Sequence, residues 1–138
     1  MKTQAFLKLI IMLILAVLFI HIAAIFTGLY QGKVWIDIPQ HIISGIMLGL
    51  IWLMFIKDAI RNKMLVAVSI ISFAVLGSFL WEIFEFVLLQ LSPSLEETVK
   101  FYSRTLGDAL SDMFYGFLGG VLVAMITLFK KNKGELRS

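Results

Sequence analysis

Four long apolar runs divide the chain, and the polar positions gather between them. The runs extend from about Phe6 to Tyr30, Ile38 to Ile56, Met64 to Leu91 and Leu106 to Phe129. Each holds at least about 19 residues, which as an α-helix is long enough to cross a hydrocarbon core of ~30 Å. The pattern therefore predicts an all-α fold: a polytopic membrane protein in which residues 1–138 form one domain, a bundle of four transmembrane helices. Lys2 and Lys8 precede the first run as in a secretory signal. That run continues through Phe26, past the ~7–15 apolar residues of a signal, so a retained helix is expected. Gly45 and Gly49 on the second helix, and Gly116 and Gly120 on the fourth, form GxxxG pairs. Small residues at this spacing let helix backbones approach closely, and so mark the faces expected to point inward.

Composition agrees with lipid as the solvent. Hydrophobic residues make up 60% of the 138 positions and charged residues 15%, against roughly 45–50% apolar in ordinary globular domains. Mean hydropathy is +0.97. With no cysteine, disulfides and thiolate metal sites are excluded. The net charge of +3 does not point to nucleic acid, because the basic residues flank the apolar runs, where they meet lipid headgroups and set topology. Nine of them (Lys2, Lys8, Lys57, Arg61, Lys63, Lys130, Lys131, Lys133 and Arg137) fall on one side of the bilayer and three (Lys33, Lys100 and Arg104) on the other. Positive residues resist translocation, so both termini are expected in the cytoplasm of a cell-membrane protein. The outer segment from Ser92 to Thr105 is long enough for one extra turn of interfacial helix and too short for a domain.

The remaining ionisable residues carry the chemistry. Asp37, His41, Glu82, Glu85, Asp108 and Asp112 lie within or at the edges of the spans, where each charged group costs roughly 2.5–3.5 kcal/mol on insertion scales. Asp37 and His41 are four apart, Asp108 and Asp112 four apart, and Glu82 and Glu85 three apart, so each pair shares a helical face. With helices two and four running inward and helix three outward, all six reach similar depth in the outer half. His21 on the first helix is placed to line the floor of the same pocket, and Ser44, Ser78, Tyr115 and Arg104 fall on or near the same stripes. Carboxylates converging in a low dielectric repel unless protonated, hydrated or neutralised. A divalent metal ion held by Asp37, His41, Glu82, Glu85, Asp108 and Asp112 answers that requirement, and this donor set suits Mg²⁺, Mn²⁺, Zn²⁺ or iron.

Structural roles compete for several of these residues. Asp37, before Pro39, is a candidate N-cap, and Asp108 complements the positive end of the fourth helix. Asp112 is a candidate for a buried pair with Arg104 or His41. His21 fits an interfacial histidine, and Trp35, Trp52 and Trp81 fit packing or interface roles. Glu82 and Glu85 have no such explanation, since they sit toward the end of a helix whose dipole disfavours negative charge. Ser44 and Ser78 lack a nucleophile motif.

The order D-x-x-x-H-x-x-S-G (Asp37 to Gly45), W-E-x-x-E-F (Trp81 to Phe86) and D-x-x-x-D-M-x-x-G (Asp108 to Gly116) resembles the YjdF-type multipass membrane proteins. More distantly it is similar to the VanZ-like family. There, a D-x-x-x-H on one helix, an E-x-x-Q on the next and an Arg before D-x-x-x-N on the last keep the same order. Glu85 stands where that pattern has Gln and Gly116 where it has Asn, and these departures weigh against VanZ's glycopeptide-resistance association. The likeness covers roughly residues 37–120. It implies a multipass envelope protein and leaves the reaction open.

The expected function is an outward-facing Asp/Glu/His site that binds a divalent cation and acts on a lipid or cell-envelope substrate. As a metal-dependent hydrolase or transferase, the protein would use the ion to polarise a phosphoryl or carbonyl oxygen, with His41, Glu82 or Glu85 as catalytic base. One alternative is proton or cation handling, against which the nearly apolar inner halves of the helices argue. Another is a non-catalytic envelope assembly or resistance partner whose polar cluster fixes helix register.

Overall fold

The computed structural model describes residues 3–27, 37–91 and 105–129. They form four helices: α1 (Thr3–Thr27), α2 (Asp37–Ile56), α3 (Lys63–Leu91) and α4 (Leu106–Phe129). All four are long and apolar enough to cross a membrane. The last three agree with the apolar runs to within one residue at each end. Helix α1 starts three residues earlier than its run, and the run's expected end at Tyr30 lies outside the described residues. Also outside them lie the proposed interfacial turn after Ser92, Trp35, Arg104 and the basic tail.

Helix boundaries follow from local chemistry. Asn62 caps α3, its Oδ1 accepting hydrogen bonds from the backbone N–H groups of Met64 at 2.9 Å and Leu65 at 3.3 Å. Thr105 does the same for α4, its Oγ1 accepting from the N–H of Asp108 at 3.2 Å. Asp108 is thus the acidic residue three places past the cap, where a carboxylate meets the positive end of the helix. Between α2 and α3 the chain turns within Lys57–Asn62, the N–H groups of Ala59 and Ile60 both bonding the carbonyl of Ile56 at 3.0 Å.

Helices α2, α3 and α4 pack mutually, and α1 leans chiefly on α2. Glycine sets the α2–α4 crossing. A Cβ on Gly45 would run into the carbonyl oxygen of Gly116, and one on Gly119 into that of Ile42, so the two backbones touch. Successive contacts of Gly45 with Gly116 and Gly49 with Val123 show that α2 and α4 run in the same direction. Helix α3 runs opposite: a Cβ on Gly116 would strike Ser78 Oγ, and one turn on, a Cβ on Gly120 would lie 2.7 Å from that of Ala74.

One half of this three-helix unit is filled by Ile56, Val66, Ala67, Ile70, Val123 and Ala124, all buried, with Ile70 fully so. Against this cluster Trp52 packs, stacked on Phe73 with ring centroids 4.6 Å apart, which is the packing role expected of it. The outer circumference is apolar as well: Phe19 is 74% exposed, Phe86 63% and Ile126 70%. In water so continuous an apolar surface would drive association; in a bilayer it is solvated by lipid chains.

Candidate functional site

The glycine contact also builds the site. His41 lies one turn before Gly45 and Asp112 one turn before Gly116, so the crossing that brings the glycines together sets His41 and Asp112 side by side. His41 Nε2 is 3.6 Å from Asp112 Oδ1 and 3.4 Å from Asp37 Oδ1, one turn earlier on its own helix. Burial is substantial: 13% of the His41 side chain, 11% of Asp112 and 30% of Asp37 remain exposed. One donor atom from each of the three residues falls within 4.8 Å of the other two.

These three groups open into a cavity of ≈ 260 Å³ that reaches all four helices. From α4 come Asp108 and Asp112, on one face at four-residue spacing. On α3 the lining residues Ser78, Glu82 and Glu85 continue the stripe that begins where Ser78 meets Gly116. One turn beyond that contact, the antiparallel register puts Glu82 level with Asp112, and Glu82 Oε1 is buried. Helix α2 contributes Asp37, Gln40, His41 and Ser44, again a single stripe. Helix α1 adds His21, whose ring meets Trp81 edge-on with centroids 6.1 Å apart.

All six residues singled out from the sequence thus line one cavity. They do not form one tight donor set: Asp37, His41 and Asp112 make the close group, while Glu82, Glu85 and Asp108 line the cavity outside it. Of the accessory residues, His21, Ser44 and Ser78 line the cavity, whereas the Tyr115 ring packs against Phe114. Asp112 pairs with His41; Arg104 lies outside the described residues. Gln40 was not anticipated. Buried at 5% exposure, it sits one turn from both Asp37 and Ser44, and its only signal in the sequence is an uncharged amide on the Asp37 stripe.

Chemically, the cavity has two ends. The carboxylates and imidazoles occupy the end at the starts of α2 and α4, and Ile14, Val17, Leu18, Met47 and Leu48 line the other. A concave, mostly apolar chamber with a few convergent polar groups is the usual form of a ligand site. Beyond it the packed Ile56–Val66–Ile70–Val123 cluster offers no polar continuation among the described residues.

No curated protein and no solved structure matches the chain. The more distant VanZ-like likeness finds no support in these comparisons. Residues 2–133 do match the model of the family described as Predicted membrane protein (DUF2238), to which the YjdF-type proteins also belong, and with four membrane-length helices the chain is a member of that family.

Proposed function

We propose that the chain is a single four-helix domain of the cell membrane, both termini cytoplasmic, whose outward-facing cavity binds a divalent cation through Asp37, His41 and Asp112 and acts on a lipid or envelope substrate. The observation that carries this reading is the donor spacing. His41 Nε2 stands 3.4 Å and 3.6 Å from the two carboxylate oxygens, long for charge-assisted hydrogen bonds at 2.7–2.9 Å. Two donors that each lie ~2.1 Å from a shared tetrahedral ion are about 3.4 Å apart. With one donor atom from each of Asp37, His41 and Asp112 within 4.8 Å of the other two, the three side chains can reach a common ion.

Three protein ligands leave a fourth position for water or substrate, the arrangement of a catalytic rather than a purely structural site. A cation held there would supply polarisation of a phosphoryl or carbonyl oxygen. His41 would then serve as ligand, leaving Glu82 or Glu85, on the α3 wall of the same cavity, to take a proton from the attacking water or hydroxyl. The apolar cluster beyond the cavity weighs against a path for protons or cations across the bilayer.

The test is metal content by mass spectrometry on protein purified without chelators. Stoichiometric metal in the wild type and in Glu85→Gln, with loss in His41→Ala and Asp112→Asn, is the expected result. A folded, metal-free wild type that does not take up added Zn²⁺, Mn²⁺ or Mg²⁺ overturns the reading.

A further inference from the structure

A hydroxyl on a helix has a partner within reach, the backbone carbonyl three or four residues earlier. Thr27, Ser69, Ser72, Ser111 and Thr127 all take it, donating to the carbonyls of Ala23, Val66, Val68, Gly107 and Val123 at 2.6–2.9 Å. Ser44 and Ser78 do not. Among the described residues neither hydroxyl has a hydrogen-bond partner, although Ser78 is only 6% exposed, and both line the cavity. In so apolar a setting an unpaired hydroxyl bears its full desolvation cost unless the contents of the cavity bond it. The carboxyl, imidazole and amide groups of the lining are already engaged: Asp37, His41 and Asp112 with one another, and His21, Gln40, Glu82, Glu85 and Asp108 within the chain. The two hydroxyls are left for an occupant.

Helix register fixes where they stand. Ser44 lies three residues past His41 on α2, and Ser78 meets Gly116, four residues past Asp112 on α4. At ~1.5 Å per residue both hydroxyls are about 4.5–6 Å deeper in the cavity than the donor group. With no base bonded to its Oγ, neither is an activated nucleophile; each is a donor to an oxygen. A single carbonyl oxygen held by an ion at the donor group puts no acceptor at that depth. A phosphoryl group does: one non-bridging oxygen ~2.1 Å from the ion and a second, across a tetrahedral edge and negatively charged, ~2.6 Å from a hydroxyl. Those contacts in sequence span one helical turn.

We infer that the Ser44 and Ser78 hydroxyls bind a phosphoryl group whose other oxygen is held by the cation, so that the cavity takes phosphate or a phosphate ester rather than a carboxylic ester. This deepens the reading of the cavity as a divalent-cation site, and rests on it. The lining carries five carboxylates and, among the described residues, neither lysine nor arginine. Without the ion it repels an anion, so phosphoryl binding requires the metal.

Equilibrium dialysis of radiolabelled inorganic phosphate against the full-length protein in detergent, metal-loaded and chelated, tests this, with dihexanoyl phosphatidic acid and dihexanoylglycerol as competitors. Phosphate should bind the metal-loaded protein only, and phosphatidic acid should displace it while dihexanoylglycerol, which has the carboxylic esters and no phosphoryl group, should not. Ser44→Ala and Ser78→Ala should each weaken phosphate by about tenfold or more, the worth of one hydrogen bond to a charged group, with metal content unchanged. Ser72→Ala, whose hydroxyl bonds its own helix, should bind as wild type does. Phosphatidic acid binding more tightly than phosphate identifies a bilayer lipid as the source and the reverse a soluble phosphate; either upholds the inference. A metal-loaded wild type that binds neither, displacement by dihexanoylglycerol, or wild-type affinity in both serine variants overturns it while the cation site stands. A wild type that takes up no divalent ion overturns the cation reading and this inference together.

Discussion

Single residues in the cavity divide by what they touch. Asp112 faces His41 across the α2–α4 crossing and belongs to the close donor group, whereas Asp108, one turn earlier on the same helix, lies outside it. Removing a ligand should therefore cost more than removing a neighbour. Asp112→Asn is expected to weaken cation affinity by more than ~100-fold, and Asp108→Asn by roughly tenfold, the scale of outer-shell losses. A competition titration against a chromogenic chelator measures both, and equal losses would contradict the division. The six ionisable residues were legible in the sequence because charge in an apolar run is expensive and stands out. Gln40 was not, since a buried amide carries no charge to mark it and its burial depends on the packing of other helices. Nor did spacing separate the close trio from the other three: same-face periodicity ranks pairs within one helix, and the trio is made between two.

At the scale of elements, the glycines decide how closely helices pass. Gly45→Ala puts a methyl against the Gly116 carbonyl and Gly116→Ala puts one against Ser78, where backbone and a buried side chain have little room to yield. Each should destabilise by about 1–3 kcal/mol, the usual cost of overpacking. Gly107, in the first turn of α4, has among the described residues only Thr105 Oγ1 at 3.6 Å from an added Cβ, so Gly107→Ala should be neutral or slightly stabilising. Thermal unfolding in detergent, followed by tryptophan fluorescence, distinguishes the three variants; a Gly107→Ala protein as unstable as Gly45→Ala would refute the contact argument. The GxxxG spacing made these faces readable, along with three helices to within a residue. The contribution of α1 was less readable. Apart from His21, its lining residues Ile14, Val17 and Leu18 lie in a helix apolar all round, where lipid-facing and cavity-facing positions have the same composition.

For the whole molecule, the orientation proposed from positive charge makes a direct prediction. The chain has no cysteine, so Asp58→Cys, at a position 90% exposed between α2 and α3, introduces a single reactive thiol. A membrane-impermeant maleimide should label it only after the cells are opened, and labelling of intact cells would invert the topology. The shared depth of the six polar residues follows from alternating helix direction, which is why whole-chain arrangement was legible before any contact was. The backbone contact at Gly45 and Gly116 has one more consequence, for a membrane whose thickness varies. Helices α2 and α4 meet along a stretch from Ile42 to Gly49, and bundles answer a thicker or thinner bilayer by changing tilt, so a change in their crossing pivots about the middle of that stretch, at Gly45 and Gly116. His41 sits four residues, ~6 Å, from that fulcrum, so a pivot of ~10° moves it by about 1 Å, while the far ends of the helices swing several times further. The donor group rides on a short lever, and its spacing is insulated from the lipid that surrounds it.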